Sequence, residues 1–216
     1  MQRSYANREE AGRRLGEALR HRATEPPPLV LGLPRGGVPV AAAVAAALGA
    51  PLDVLVVRKV GVPGQPELAM GAVAAGGVEA RNAEVLGLLP GAARQFESVA
   101  ARERAEVVRR ERAYRGARPP LALTGRTVVL VDDGIATGST MEAAVRACRA
   151  GGAQRIVVAV PVAAPESLAA LQPLADEIVC PMRPAAFIAV GRWYDSFPQL
   201  EDEDVRRCLA AAQHDA

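Results

Sequence analysis

Residues 128–140 read VVLVDDGIATGST: an apolar run leads straight into Asp132 and Asp133, and small and hydroxylated residues follow at once. Adjacent carboxylates repel each other, and at the end of a buried strand they also lose solvation. The pair therefore costs stability unless something neutralises or hydrogen-bonds it. The cis hydroxyls of a ribose would supply two neighbouring donors. Just downstream, Gly134, Ile135, Ala136, Thr137, Gly138, Ser139 and Thr140 wrap into a predicted helix start. Backbone amides, the hydroxyls of Thr137, Ser139 and Thr140, and the helix dipole all favour a phosphate at such a turn. The pattern predicts acids that hold a sugar diol beside a turn that holds the sugar's phosphate.

A second loop has related chemistry. Pro34-Arg35-Gly36-Gly37 joins a short apolar run, residues 29–33, to an alanine-rich segment. Glycines at 36 and 37 permit backbone angles closed to other residues and expose amides, while Arg35 supplies a fixed charge. A capped turn that holds nothing is the plain alternative for this loop. Neither loop fits the patterns that would point elsewhere: no lysine precedes Ser139 or Thr140 as in GxxxxGK[ST], and GxGxxG is absent. Lys59 is the sole lysine among 26 basic residues, and it stands at the base of a Gly- and Pro-rich stretch, VGVPGQPELA at 60–69, read as a mobile loop. A compact ammonium there suits gripping a departing anion as a lid closes.

The two histidines, His21 and His214, lie near the termini, which argues against Ser-His-Asp triads, Cys-His dyads and histidine zinc sites. Three scattered cysteines without a CxxC pair read as reduced thiols. A formal charge of +2 is too balanced to indicate nucleic acid or an anionic membrane as partner, and no stretch reads as a secretory signal or a membrane span, so the cytoplasm is the expected address.

The elements that must position these residues follow from periodicity. An amphipathic helix is predicted over 4–22 with Ala11, Leu15, Ala18 and Leu19 on one face. Apolar strands are predicted at 29–33, 52–57, 127–133, 155–162 and 176–180, and helices at about 38–48, 139–150, 165–174 and 202–212. A hairpin turning at Gly76-Gly77 and a long charged helix over about 91–115 lie between the halves. Alternating strand and helix means an α/β fold with an open, mostly parallel sheet flanked by helices, read as a single domain over 1–216 with its core at about 26–181. In such sheets ligands bind beyond the carboxyl ends of the strands. Four of the seven aromatic residues fall between 187 and 197. Trp193, Tyr194, Asp195 and Phe197 could thus stack on and hydrogen-bond a flat base within a small C-terminal hood at about 183–198, or simply plug the core.

The run VVLVDDGIATGST resembles the 5-phosphoribosyl-1-diphosphate (PRPP) binding motif of type I phosphoribosyltransferases, and the resemblance extends over roughly residues 26–181. It implies that Asp132 and Asp133 contact the ribose hydroxyls, partly through Mg²⁺ and its waters, and that residues 134–140 bind the 5′-phosphate. Arg35, Gly36 and Gly37 look like the family's pyrophosphate loop, often held by a non-proline cis peptide, and Lys59 sits where the lid begins. The implied activity is Mg²⁺-dependent transfer of the phosphoribosyl group to a nitrogenous base or related small acceptor, within nucleotide metabolism, with Arg35, Lys59, Asp132 and Asp133 as the catalytic set. Small molecules are then the partners, and a homo-oligomer stays open. In 6-oxopurine members the position matching Ala136 is commonly an aspartate, so a hypoxanthine or guanine acceptor is disfavoured. The rival reading is a non-catalytic regulator that binds PRPP or a nucleotide.

Overall fold

The computed structural model describes residues 4–23 and 25–214. Helix α1 (Arg8–Ala18) starts where the Asn7 side chain accepts from the Glu10 N–H at 2.9 Å, and it gives way to a 3₁₀ turn over Arg20–Arg22. Ala11, Leu15 and Leu19 are buried as expected, whereas Ala18 is exposed. The chain then runs through β1 (Leu29–Gly32), α2 (Gly37–Leu48) and β2 (Leu52–Val54). Gly49 closes α2 in the left-handed conformation, φ 58°.

An antiparallel excursion follows: β3 (Val57–Val62), β4 (Gln65–Ala74) and β5 (Val78–Arg81), then α3 (Ala83–Gly87) and the long α4 (Ala92–Arg115). The chain returns through β6 (Thr127–Val131), α5 (Ser139–Ala150), β7 (Arg155–Ala159), α6 (Pro165–Leu171), β8 (Glu177–Val179) and α7 (Asp202–His214). β2, β1, β6, β7 and β8 pair in that order as a five-stranded sheet, every neighbour parallel. Among the described residues no helix is long and apolar enough to cross a membrane.

The uniformly apolar strands have a simple cause. Leu29, Leu31, Val128, Leu130, Ile156 and Val158 face α5 and α6, while the intervening Val30, Val129, Val131, Val157 and Ala159 face α1 and α2. Alternation still operates, but both faces of the parallel sheet are covered.

Three expectations need correction. Residues 60–69 are not an irregular loop: Val57–Val62 and Gln65–Ala74 form a hairpin closed by Pro63-Gly64, with Gly64 at φ 82°. Its strands escaped notice because the register slips between Val60 and Val62, and a Cβ on Gly61 would sit 2.7 Å from the Pro66 carbonyl oxygen. The run 52–57 likewise divides, Leu52–Val54 joining the parallel sheet and Val57 opening the hairpin. The charged helix α4 is less solvated than its composition suggests. Phe96, Ala100, Val107 and Tyr114 pack on the hairpin and α7, and Arg115 forks onto Asp53 with both bonds at 3.0 Å.

Candidate functional site

β1 and β6 are paired in register, Leu29 opposite Val128 through Gly32 opposite Val131, so their carboxyl ends release two loops side by side. The Leu33 N–H donates to the Val131 carbonyl at 2.9 Å and extends that pairing to the loop itself. The Pro34–Arg35 peptide is cis. Beyond it the two loops touch. A Cβ on Gly36 would lie 2.0 Å from Asp133 Oδ2, and one on Gly37 would lie 2.5 Å from the Val131 carbonyl oxygen and 2.8 Å from Asp132 Cα. Neither glycine has a positive φ, Gly36 standing at φ −63°, so glycine at both positions is set by backbone and carboxylate approach and not by the special backbone angles expected of the loop.

The two acids are not left facing each other uncompensated. Asp132 Oδ1 accepts from the Asp133 N–H at 2.8 Å. Asp133 Oδ2 accepts from Nε of Arg8 at 2.8 Å, with the two side chains 14% and 10% exposed. Burial, then the Asp133 charge, pushes the Asp132 carboxyl well above the usual carboxylate range. Burial pushes Asp133 up as well, and Arg8 opposes that rise. Sequence reasoning passed over Arg8. One signal was available: a cation at the first position of a helix sits against the positive end of the dipole, and so wants a specific acid elsewhere.

The turn over 134–140 is pinned at Ile135, which is buried; its N–H donates to the Val162 carbonyl and its carbonyl accepts from Ala164 N–H, both at 3.0 Å. The Ala136 carbonyl accepts from Ser167 Oγ at 2.5 Å. With the turn so held, the N–H groups of Ala136 through Thr140 find no acceptor among the described residues. Gly138, at φ 80°, opens α5, and the Thr137 and Ser139 hydroxyls lie 3.4 Å apart. Ile135 thus anchors the turn, and the neighbouring amides are left without an acceptor from the protein.

A cleft of about 670 Å³ adjoins these loops, lined by Pro34, Lys59, Ser139 and Thr140 together with the hairpin and one face of α4. Its charged lining is Arg58, Lys59, Arg102 and Arg110 against the single carboxylate of Glu103. Glu103 takes both Arg58 at 2.8 Å and Arg102 at 3.1 Å, two cations to one acid, while Arg110 is paired with Glu106 at 2.6 Å. Arg35 turns outward, its guanidinium 3.4 Å from Glu201 and 3.9 Å from Asp202 at the start of α7.

None of the four hood residues is among those lining the cleft. The buried Tyr194 donates its hydroxyl to the Asp133 carbonyl at 2.5 Å, and burial pushes its pKa up. Phe197 packs on Tyr194 with ring centroids 4.9 Å apart, and Arg8 lies 3.8 Å over the Phe197 ring. Asp195 accepts from the Ser4 hydroxyl, and the Trp193 indole N–H is enclosed without a partner among the described residues. The aromatic segment therefore packs against the N-terminal helix and the acid pair.

Comparison with known proteins matches the arrangement to a family. Residues 4–191 match the phosphoribosyl transferase domain. A protein of two Mycobacterium tuberculosis strains, named "Putative phosphoribosyl transferase", is 46% identical over 211 residues, covering 98% of this chain and 47% of that protein. The chain thus spans about half the length of the curated relatives it matches. A crystal structure from Thermus thermophilus superposes with a TM-score of 0.90 at 47% identity, covering 96% of this chain and 98% of the other. A purine phosphoribosyltransferase from Pyrococcus horikoshii shares the fold, with a TM-score of 0.50 at 21% identity over 93% and 99% of the two chains. With strand order, paired loops and sequence in agreement, this chain belongs to the phosphoribosyl transferase domain family, type I.

Proposed function

We propose that this chain transfers the 5-phosphoribosyl group of PRPP to a nitrogenous base or related small acceptor, releasing pyrophosphate. The observation that carries the reading is the contact of Gly36 and Gly37 with Asp133 and Asp132, which brings an anion-seeking turn and a diol-seeking acid pair to one point. Donor ribose would lie at the acid pair, its 5′-phosphate on the amides of 136–140, and its pyrophosphate toward Lys59 and the positive wall of the cleft. The acceptor's ring nitrogen would donate its lone pair to C1′ while the C1′–oxygen electrons leave with pyrophosphate, through an oxocarbenium-like transition state. Charge then grows on the leaving group, and preorganised cations and amides stabilise that change.

Among the described residues no group of three or more His, Cys, Asp or Glu comes together to cage a metal. That suits Mg²⁺, which is commonly held by one or two carboxylates plus substrate oxygens and waters. Asp132, whose charge is the less compensated of the pair, is the residue to hold it. When bound, the ion would neutralise charge on the pyrophosphate.

The direct test is pyrophosphate release from PRPP with Mg²⁺ across a panel of bases; the reading expects turnover with at least one. Tight PRPP binding without turnover on any acceptor would favour a non-catalytic regulator. One observation leans that way, since Arg35 pairs with Glu201 and Asp202. Lys59→Ala is expected to lower kcat about 100-fold while changing donor Kd less than about threefold, as for a contact made chiefly in the transition state. Single-turnover rates beside calorimetric affinities would check it, and the reverse split would make Lys59 a ground-state binder.

A further inference from the structure

Among the described residues Arg8 is the one buried cation that touches the acid pair, and three separate contacts fix it. Its Nε donates to Asp133 Oδ2 at 2.8 Å, its NH1 donates to the Pro198 carbonyl at 2.9 Å, and its guanidinium stacks 3.8 Å over Phe197. The helix that carries it is seated with no slack. A Cβ on Gly12 would lie 2.7 Å from both the Ala43 Cβ and the Val40 carbonyl oxygen, and one on Gly16 would lie 2.6 Å from the Ala47 Cβ. α1 is thereby locked along α2, the helix that begins at the glycine loop. Arg8 stands one turn before Gly12 and so reaches back over that loop to Asp133.

Two half-buried carboxylates beside an incoming polyanion would repel it as well as each other. We infer that Arg8 is the resident counter-charge of the donor site: by neutralising Asp133 from behind, it lets a ligand bearing several phosphates approach the acid pair, and the C-terminal segment at Phe197 and Pro198 holds it in place. The inference rests on the proposed donor. It makes Arg8 a positioning residue rather than a catalytic one, since it acts through Asp133. It also explains why the chain spends aromatic residues here: the ring of Phe197 and the Tyr194 hydroxyl brace the arginine and the acid it serves.

The test is calorimetry of the full chain with two probes of unequal charge, PRPP and ribose 5-phosphate, each with Mg²⁺. Arg8→Met is expected to weaken PRPP about 30-fold but ribose 5-phosphate only about threefold, because the penalty grows with ligand charge. Arg8→Lys, which keeps the charge but loses the bond to Pro198 and the stacking on Phe197, is expected to weaken PRPP less than Arg8→Met does. Phe197→Leu, which removes the brace alone, is expected to weaken PRPP about threefold. Melting curves accompany each variant. A purely structural role would lower thermal stability and weaken both probes equally, and that outcome, or unchanged affinity in Arg8→Met, overturns the inference. If Arg8→Met does not fold, Phe197→Leu decides by the same inequality: a loss for PRPP that ribose 5-phosphate does not share supports the inference, and equal losses overturn it. A parent chain that binds neither probe overturns the proposed function itself, a result distinct from a parent that binds both and an Arg8 variant that does so equally well.

Discussion

Asp132→Asn is expected to stabilise the ligand-free chain while weakening the proposed donor about 100-fold, the loss of one or two charge-assisted hydrogen bonds. The two effects have one origin. Burial and the Asp133 charge hold the Asp132 carboxyl well above its ordinary range, so its ionised form is disfavoured in the folded chain. An acid with a raised folded value binds its proton more readily folded than unfolded. It adds no penalty at low pH, and stability is lost as pH climbs from the unfolded value through the folded one. The neutral amide removes that loss. Thermal scans should therefore show Asn raising Tm by about 5 °C at neutral pH, with the gain vanishing near about pH 3, where both forms are uncharged. A lower Tm at neutral pH would mean that the carboxylate has a compensating partner of its own. Unchanged donor affinity would remove Asp132 from the site. Function and stability are expected to trade here, as is common where like charges are gathered for a ligand.

Gly36→Ala is expected to cost donor binding about 100-fold and stability about 2–3 kcal/mol, a combination of overpacking and a broken buried ion pair. The added methyl would sit 2.0 Å from Asp133 Oδ2, and the carboxylate can escape only by leaving Arg8. Gly37→Ala meets backbone instead, at 2.5 Å from the Val131 oxygen, so it is expected to damage the carboxyl end of the β1–β6 pairing itself. The control is Gly49→Ala. Gly49 has φ 58° but nothing within 4 Å of its Cβ position, so strain alone should cost about 1 kcal/mol and leave the donor site untouched. Denaturant unfolding with donor calorimetry separates the three. If Gly36→Ala and Gly49→Ala behave alike, close approach is not what keeps glycine in the loop.

These expectations draw on two kinds of information. The strands expected at 29–33, 127–133 and 155–162, which form over 29–32, 127–131 and 155–159, and the helices that follow them were legible from residue type alone. Uniformly apolar runs ending in glycine, acid and hydroxyl residues admit few other readings. The hairpin at 57–74 was not legible, because its glycines and prolines mark a bulged register that local pattern reads as loop. Ile135 looked like one more residue of a phosphate turn, yet its N–H is spent on Val162, a partner fixed only when β6 and β7 are side by side.

What the sequence by itself determined was the chemistry on offer: paired acids, a following nest of amides and hydroxyls, a glycine pair, and one lysine. Those are properties of short runs, and local backbone preference suffices to place them on strand ends and turns. Tertiary structure decided which of them meet. Parallel pairing of β1 with β6 pressed the glycines onto the acids, and the seating of α1 on α2 carried Arg8 across 125 residues of sequence to Asp133. The physical reason is that burial, repulsion and close approach belong to atoms brought together from distant segments, and no periodicity along the chain encodes them.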